Sequence, residues 1–253
     1  MPALGEIEFW HARFTQQATW TGDLFLTLAR QSGFEKVDSV LEVGCGTGAA
    51  LRRVSMLDVK TIFGLDLRLE HLRFAANHAP IAHLMVGDAH RLPLPDRAID
   101  LVFCHFLLLW VRDPVSVLRE MKRVTRDHGW VIALAEPDYE HRIDMPDALK
   151  ALGRAQTAAL YRQGADPCIG RRLPDLFQEA GISLEASGVL GGYWSGNKLP
   201  DGWDLEWQTL RHDLADDDTH LPFETLMETD RMAWLQSIRI LYVPVFYAIG
   251  RIP

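Results

Sequence analysis

Val40-Leu41-Glu42-Val43-Gly44-Cys45-Gly46-Thr47-Gly48 precedes a second apolar run that ends in Gly64-Leu65-Asp66. Residues 39–43 form a short apolar run that stops at glycines, the pattern of a strand buried on both faces, and residues 49–56 read as a helix. The unit is strand, loop, helix. Gly44, Gly46 and Gly48 remove three β-carbons from the loop, so the backbone can take positive φ and a ligand can press against the peptide planes. Asp66 closes the next strand about twenty residues past the loop, where a carboxylate accepts hydrogen bonds from ribose hydroxyls.

The spacing Gly44-x-Gly46-x-x-Ala49 also satisfies a loose dinucleotide fingerprint, which keeps an NAD- or FAD-binding oxidoreductase as the alternative reading. Glu42 weighs against it. A carboxylate beside the glycine loop repels a pyrophosphate and favours the ammonium and sulfonium of S-adenosylmethionine.

Further matches follow in order: Gly64-Leu65-Asp66-Leu67, then Gly87-Asp88-Ala89 with Leu92-Pro93-Leu94, then Ile99-Asp100-Leu101-Val102, then a helix-strand unit over residues 117–135. With the glycine loop these make residues 37–138 resemble a class I S-adenosylmethionine-dependent methyltransferase of the small-molecule, type-11-like kind. The resemblance implies an α/β fold: a doubly wound, seven-stranded, mostly parallel Rossmann-like sheet with an antiparallel last strand and a helical cap. It also implies that Gly44 and Gly46 hold the amino-acid part of the cofactor, Asp66 the ribose and Asp88 the adenine amino group. Glu42, Cys45, Leu67, Gly87, Ala89 and His105 complete the expected cofactor shell, and S-adenosylhomocysteine would be the product. Read on its own, Asp88 is equally an Asp capping the amides of its own turn.

With 253 residues, 48% of them hydrophobic, the chain is long enough to bury one large core. We expect one methyltransferase domain over residues 1–253: an N-terminal helical lid (1–36), a cofactor-binding core (37–138) and a substrate side (139–253) with a helical insertion at about 195–239. The formal net charge is −8 and no Lys/Arg-rich run occurs, which disfavours a nucleic-acid partner. No run of apolar residues reaches membrane-spanning length, and the first residues lack a basic segment followed by an apolar one, so the expectation is a cytoplasmic protein with no membrane partner. Cys45, Cys104 and Cys168 show no paired spacing, which argues against a disulfide framework or a metal site. Cys45 and Cys104 read as small buried fillers at strand ends. No heptad indicates an oligomeric state.

Outside the core, residues 7–30 read as helices that form a lid, in which Arg13 either reaches the cofactor carboxylate or lies on a solvated face. Strands are expected at 61–65, 83–86, 99–104 and 130–135, and helices at 69–78 and from Asp113-Pro114 to about 125. Beyond residue 140, helices are expected at 145–162 and 171–180, a sixth strand at 182–194 and the last at 240–249. The acidic run Asp216-Asp217-Asp218 reads as a solvated helix connection.

A methyl transfer needs mainly collinear positioning in a dry site. A hydroxyl or ammonium acceptor also needs a base, for which His105, Tyr139 and His141 are the candidates; a carbanion or thiolate needs none. Phe106, Tyr139, Tyr193 and Trp194 are the candidate walls of a pocket for a small-molecule acceptor. A third reading is a non-catalytic S-adenosylmethionine-binding protein.

Overall fold

The computed structural model describes residues 5–34, 36–54, 57–192, 197–215 and 221–253. The chain opens with one continuous helix, α1 (Glu6–Ser32), which Gly33 ends in the left-handed conformation. Parallel β1 (Lys36–Val43), the short α2 (Leu51–Val54), β2 (Asp58–Asp66), α3 (Leu69–His78) and β3 (Ala82–Val86) build one half of a sheet. β4 (Ile99–His105), α4 (Pro114–Val124) and β5 (Thr125–Pro137) begin the other half. α4 starts as its sequence demands, with the Asp113 side chain accepting from Ser116 N–H and Pro114 in the first turn.

After β5 come β6 (Ile143–Met145), α5 (Lys150–Arg162), α6 (Leu173–Glu179) and β7 (Ser183–Val189). α7 (Trp203–Asp213) and α8 (Phe223–Leu235) follow, then β8 (Ile240–Tyr242) and β9 (Val245–Arg251). The seven-stranded sheet has the order β3-β2-β1-β4-β5-β9-β7, and β9 runs antiparallel to both its neighbours. The strand order reverses beside β1 and β4, the place where open α/β sheets open a crevice at their carboxyl edge.

The central strands bury both faces, and their side chains alternate between two cores. Leu41, Val43, Val102 and Cys104 face the cluster built with α4 and α6. Val40, Leu101 and Phe103 face the cluster built with α1, α2 and α3. Cys45, Cys104 and Cys168 are free and buried. No helix among the described residues is long and apolar enough to cross a membrane.

Several boundaries differ from the sequence reading for local reasons. The residue 7–30 segment is a single helix, since nothing in it breaks the ladder. The helix expected over 49–56 is described only for Leu51–Val54, with residues 55–56 outside the described set. The helix expected at 145–162 begins instead as β6, followed by Pro146 and a 3₁₀ turn, and is α-helical only from Lys150. The strand expected at 240–249 is two strands, because Pro244 lacks an N–H and interrupts the ladder: β8 pairs with β6 in a separate two-stranded sheet and β9 enters the main one. The sixth strand stops at Val189 rather than reaching residue 194.

The helical cap expected at 195–239 is present as α7 and α8; residues 216–220, which include the Asp216–Asp218 run, lie outside the described set. α5, α7 and α8 share a third apolar cluster around Leu149, Leu152, Trp207, Leu210 and Leu226. A buried ionic chain runs through it. Arg239 pairs with Asp230 at 2.5 Å and with Asp144 at 3.0 Å, Asp144 also holds Arg142 at 2.7 Å, and Asp230 accepts from the indole N–H groups of Trp203 (2.6 Å) and Trp207 (3.0 Å). Removing one partner strands the others without solvent. Arg239→Met should therefore lower unfolding free energy by about 3–5 kcal/mol, read from the midpoint of urea denaturation; a wild-type midpoint would mean the network is dispensable.

Candidate active site

The glycine turn is stitched to the neighbouring strand. Gly44 N–H and Cys45 N–H both donate to the Leu65 carbonyl, at 2.7 and 2.9 Å. Gly44 sits at φ +75°, which favours glycine, and a β-carbon there would lie 2.7 Å from Leu107 Cδ1 and push that side chain aside. Asp66 closes the turn from the other side: its Oδ2 accepts from Gly46 N–H at 2.8 Å and its Oδ1 from Arg68 N–H at 2.9 Å. Leu67 next to it is exposed. α1 lies across this turn, with His11 Nδ1 2.8 Å from Thr47 Oγ1 and the Phe14 ring over Gly46.

Glu42, at the end of β1, is 2% exposed, and its Oε2 has no hydrogen-bond partner. Burial, and then the neighbouring Asp66 charge, push its carboxyl well above the usual range, offset in part by a backbone hydrogen bond from Leu51. The same burial raises the Cys45 thiol. Among the described residues one other buried side-chain atom is orphaned, His90 Nε2 in the loop after β3. Asp88 in that loop accepts from His90 N–H at 2.9 Å and lies 2.8 Å from His90 Nδ1. These bonds hold its carboxyl below the usual range, and it caps the turn that Gly87, Asp88 and Ala89 begin. His90 was invisible to motif reading, because its neighbours are known only from the folded loop.

At the ends of β4 and β5 the backbone is strained. Phe106 holds φ 53° and Ala135 φ 60°, the latter within the irregular register between Ala133 and Glu136. That irregularity aims Glu136, fully buried, at the chain after β4: its oxygens accept from the N–H groups of Leu107 (3.0 Å), Leu108 (3.0 Å) and Leu109 (3.2 Å). Burial pushes the Glu136 carboxyl up to about 7 against those three bonds. His105 faces α1, with Nε2 2.9 Å from Thr21 Oγ1, and burial lowers its imidazole to about 4, so it is neutral at physiological pH.

Beside Phe106 lies a cavity of about 350 Å³. Arg13 and Trp20 of α1, Phe106, Pro137, Tyr139, Glu206 of the cap, and Leu241 to Val243 with Val245 form most of its wall. Burial pushes the Tyr139 phenol up to about 12. Arg13 is not on a solvated face: it is 4% exposed, donates to Glu206 Oε2 at 2.5 Å and to Gln16 Oε1 at 2.7 Å, and lies over the Trp20 ring. Its guanidinium is raised through the Glu206 charge and hydrogen bond, which outweigh the opposing effect of burial. His141 does not reach the cavity; it sits on an exposed 3₁₀ turn, 3.3 Å from Asp138. Tyr193 and Trp194, expected in the pocket, lie outside the described residues. Glu206 in the cap and Tyr242 in β8 were missed because neither segment carries a motif.

Residues 41–133 match the family model described as a methyltransferase domain. A malonyl-acyl-carrier-protein O-methyltransferase of a Marinomonas species is 39% identical over 103 residues, 38% of this chain and 37% of that protein. An uncharacterised 37.1 kDa protein in a transposon of Streptomyces fradiae is 32% identical over 155 residues, 58% of this chain and 44% of that one. The chain thus spans less than half the length of these relatives. Among solved structures, a geranyl diphosphate methyltransferase in complex with geranyl diphosphate and sinefungin superposes with a TM-score of 0.52 at 12% identity, covering 85% of this chain and 71% of the other. That likeness speaks for the fold alone.

Glu136 has a measurable signature. Its ordinary carboxyl value of 4.5 is raised to about 7 in the folded state, so the folded chain keeps a proton that the unfolded chain has lost. Stability therefore falls as pH rises through that window, by up to about 3 kcal/mol, and is flat above it. Glu136→Gln should abolish this slope in urea denaturation series run across the window; an unchanged slope would assign it to other groups.

Proposed function

We propose, from the match of residues 41–133 to the methyltransferase-domain family model, that this chain transfers a methyl group from S-adenosylmethionine to a small-molecule acceptor held in the cavity beside Phe106 and Tyr139. The observation that carries the reading is the orphaned Oε2 of Glu42 beside a β-carbon-free turn. A buried carboxyl pushed up by burial and a second acid is relieved by a cation and aggravated by a diphosphate. That charge preference disfavours a nicotinamide or flavin dinucleotide.

The residues present fit the cofactor. Glu42 and the Gly44 to Gly46 peptides would hold its charged amino-acid end, Asp66 its ribose, and the Asp88 to His90 loop its base. When bound, the cofactor supplies a methyl group already activated by the positive sulfur. The chain's own contribution is positioning and exclusion of water, which together account for ~7–11 kcal/mol of barrier reduction in well-oriented reactions. α1 lies over the turn, Phe106 is fixed by a strained backbone, and Glu136 pins the segment behind it.

Calorimetry with S-adenosylhomocysteine tests this directly. The wild-type chain should bind it and ignore NAD, while Asp66→Ala, with circular dichroism unchanged, should lose at least about tenfold in affinity from the missing ribose bonds. Near-native affinity in Asp66→Ala would refute the ribose assignment, and preferential binding of NAD would refute the function.

A further inference from the structure

We propose that His11 is a positioning residue that holds the first helix closed over the cofactor turn, and that its contact with His78 makes this closure sensitive to protons. The proposal rests on the reading of the turn as a cofactor site and adds how access to that site is regulated.

His11, Phe14, Ala18 and Thr21 recur at helical spacing along α1 and form the stripe that faces the end of the sheet. Three of them make contacts there. His11 Nδ1 lies 2.8 Å from Thr47 Oγ1, the Phe14 ring covers Gly46, and Thr21 Oγ1 lies 2.9 Å from His105 Nε2. Thr47 is fully buried between Gly46 and Gly48. The helix thus touches the glycine turn at two successive residues, through His11 and Phe14, and lifting it would uncover the peptides that the cofactor reading assigns to the amino-acid end.

Helix α3 holds His11 from the other side. The His11 ring centre is 4.2 Å from that of His78 and 5.0 Å from that of Phe74, and Phe74 and His78 are themselves stacked at 4.3 Å. His78 Nδ1 donates to the Phe74 carbonyl at 2.9 Å, which fixes the ring and the place of its proton. While both imidazoles are neutral, the three rings pack as an aromatic clasp between the two helices. Protonating both sets two cations in ring contact, where they repel.

The surroundings give that charge no compensation. Among the described residues, the charged or titratable groups acting on His11 are His78 of α3 and Arg52 of α2, both basic, and the turn contributes only the Thr47 hydroxyl. Burial, followed by His78 and Arg52, holds the His11 imidazole below its ordinary value of 6.5. Two nearby histidines differ in this respect. His71 of α3 has Asp66 at 3.9 Å, and His212 of α7, packed against Phe9 and Trp10 of the first helix, has Asp213 at 3.9 Å. An imidazole held low in the closed state binds its proton better once the helix opens, so closure is complete above pH 6.5 and weakens as pH falls below it. A ligand that needs the closed helix loses affinity in step.

Calorimetry of S-adenosylhomocysteine binding to the full chain at pH 7.5 and 5.5 tests the proposal, together with NMR titration of the imidazoles. His11→Asn presents an amide to Thr47 and cannot be charged; His78→Phe keeps a ring against Phe74 and removes the second charge. On going to pH 5.5 the wild-type chain should lose up to about tenfold more affinity than His11→Asn, the limit for one proton excluded one pH unit below the ordinary imidazole value, and His78→Phe should fall between them. His11→Phe, which offers Thr47 no partner, should bind several-fold more weakly already at pH 7.5, and His11→Asn should recover part of that loss. In the titration the wild-type His11 imidazole should stay below 6.5 and rise in His78→Phe. The same pH dependence in wild type and His11→Asn would assign the slope to other groups and overturn the proton linkage, and wild-type affinity in His11→Phe at pH 7.5 would overturn the positioning role. Should the wild-type chain bind no S-adenosylhomocysteine at either pH, the methyl-transfer reading falls, and a His11 imidazole that titrates at 6.5 would overturn the clasp independently of any ligand.

Discussion

The Leu65 carbonyl accepts from two successive peptide N–H groups, those of Gly44 and Cys45, and this double contact draws the loop after β1 tight against the end of β2. It brings Glu42 and Asp66 close enough for the Asp66 charge to act on the buried Glu42 carboxyl. Two acids in one poorly solvated corner are electrostatically unfavourable unless a cation joins them. The fold tolerates that strain because the strands beneath are buried on both faces and cannot shift without opening two cores at once. Every functional assignment above depends on this corner.

A second constraint sits across the sheet edge. The irregular register near the end of β5 turns Glu136 onto three consecutive N–H groups after β4, and the segment so held carries Phe106 in a backbone conformation that is costly for a bulky residue. Phe106 and Pro137 then become fixed walls of the cavity. The opposite walls come from distant chain segments: Arg13 from the first helix and Glu206 from the cap, joined in one ion pair. The first helix, the sheet edge and the cap therefore meet at this cavity.

What was legible in the sequence follows from where the physics is local. The strands of the cofactor half announce themselves because burial on both faces demands uninterrupted apolar runs, and their ends are marked by glycine, aspartate or proline. The seven-stranded, mostly parallel sheet and its antiparallel last strand followed from the resemblance and were found as expected. The acceptor side was less legible. Arg13, read on its own helix, gives no sign of Glu206, its partner 193 residues away, and so its reading was left between a solvated face and the cofactor. Pro244 was in plain view, yet residues 240–249 read as one strand because apolar periodicity outweighed a single breaker. His141 was grouped with Tyr139 by proximity in sequence, but the 3₁₀ turn separates them: Tyr139 faces the cavity and His141 faces Asp138.

The central claim is that Glu42, raised by burial beside Asp66, awaits the positive end of the cofactor. Calorimetric binding of S-adenosylmethionine at neutral pH, repeated in buffers of different ionisation enthalpy, counts the protons exchanged. The account predicts a net proton released by the wild-type chain as Glu42 ionises against the incoming cation, and no such release in Glu42→Gln. Binding without proton release in the wild-type chain, or the same release in both, would contradict it.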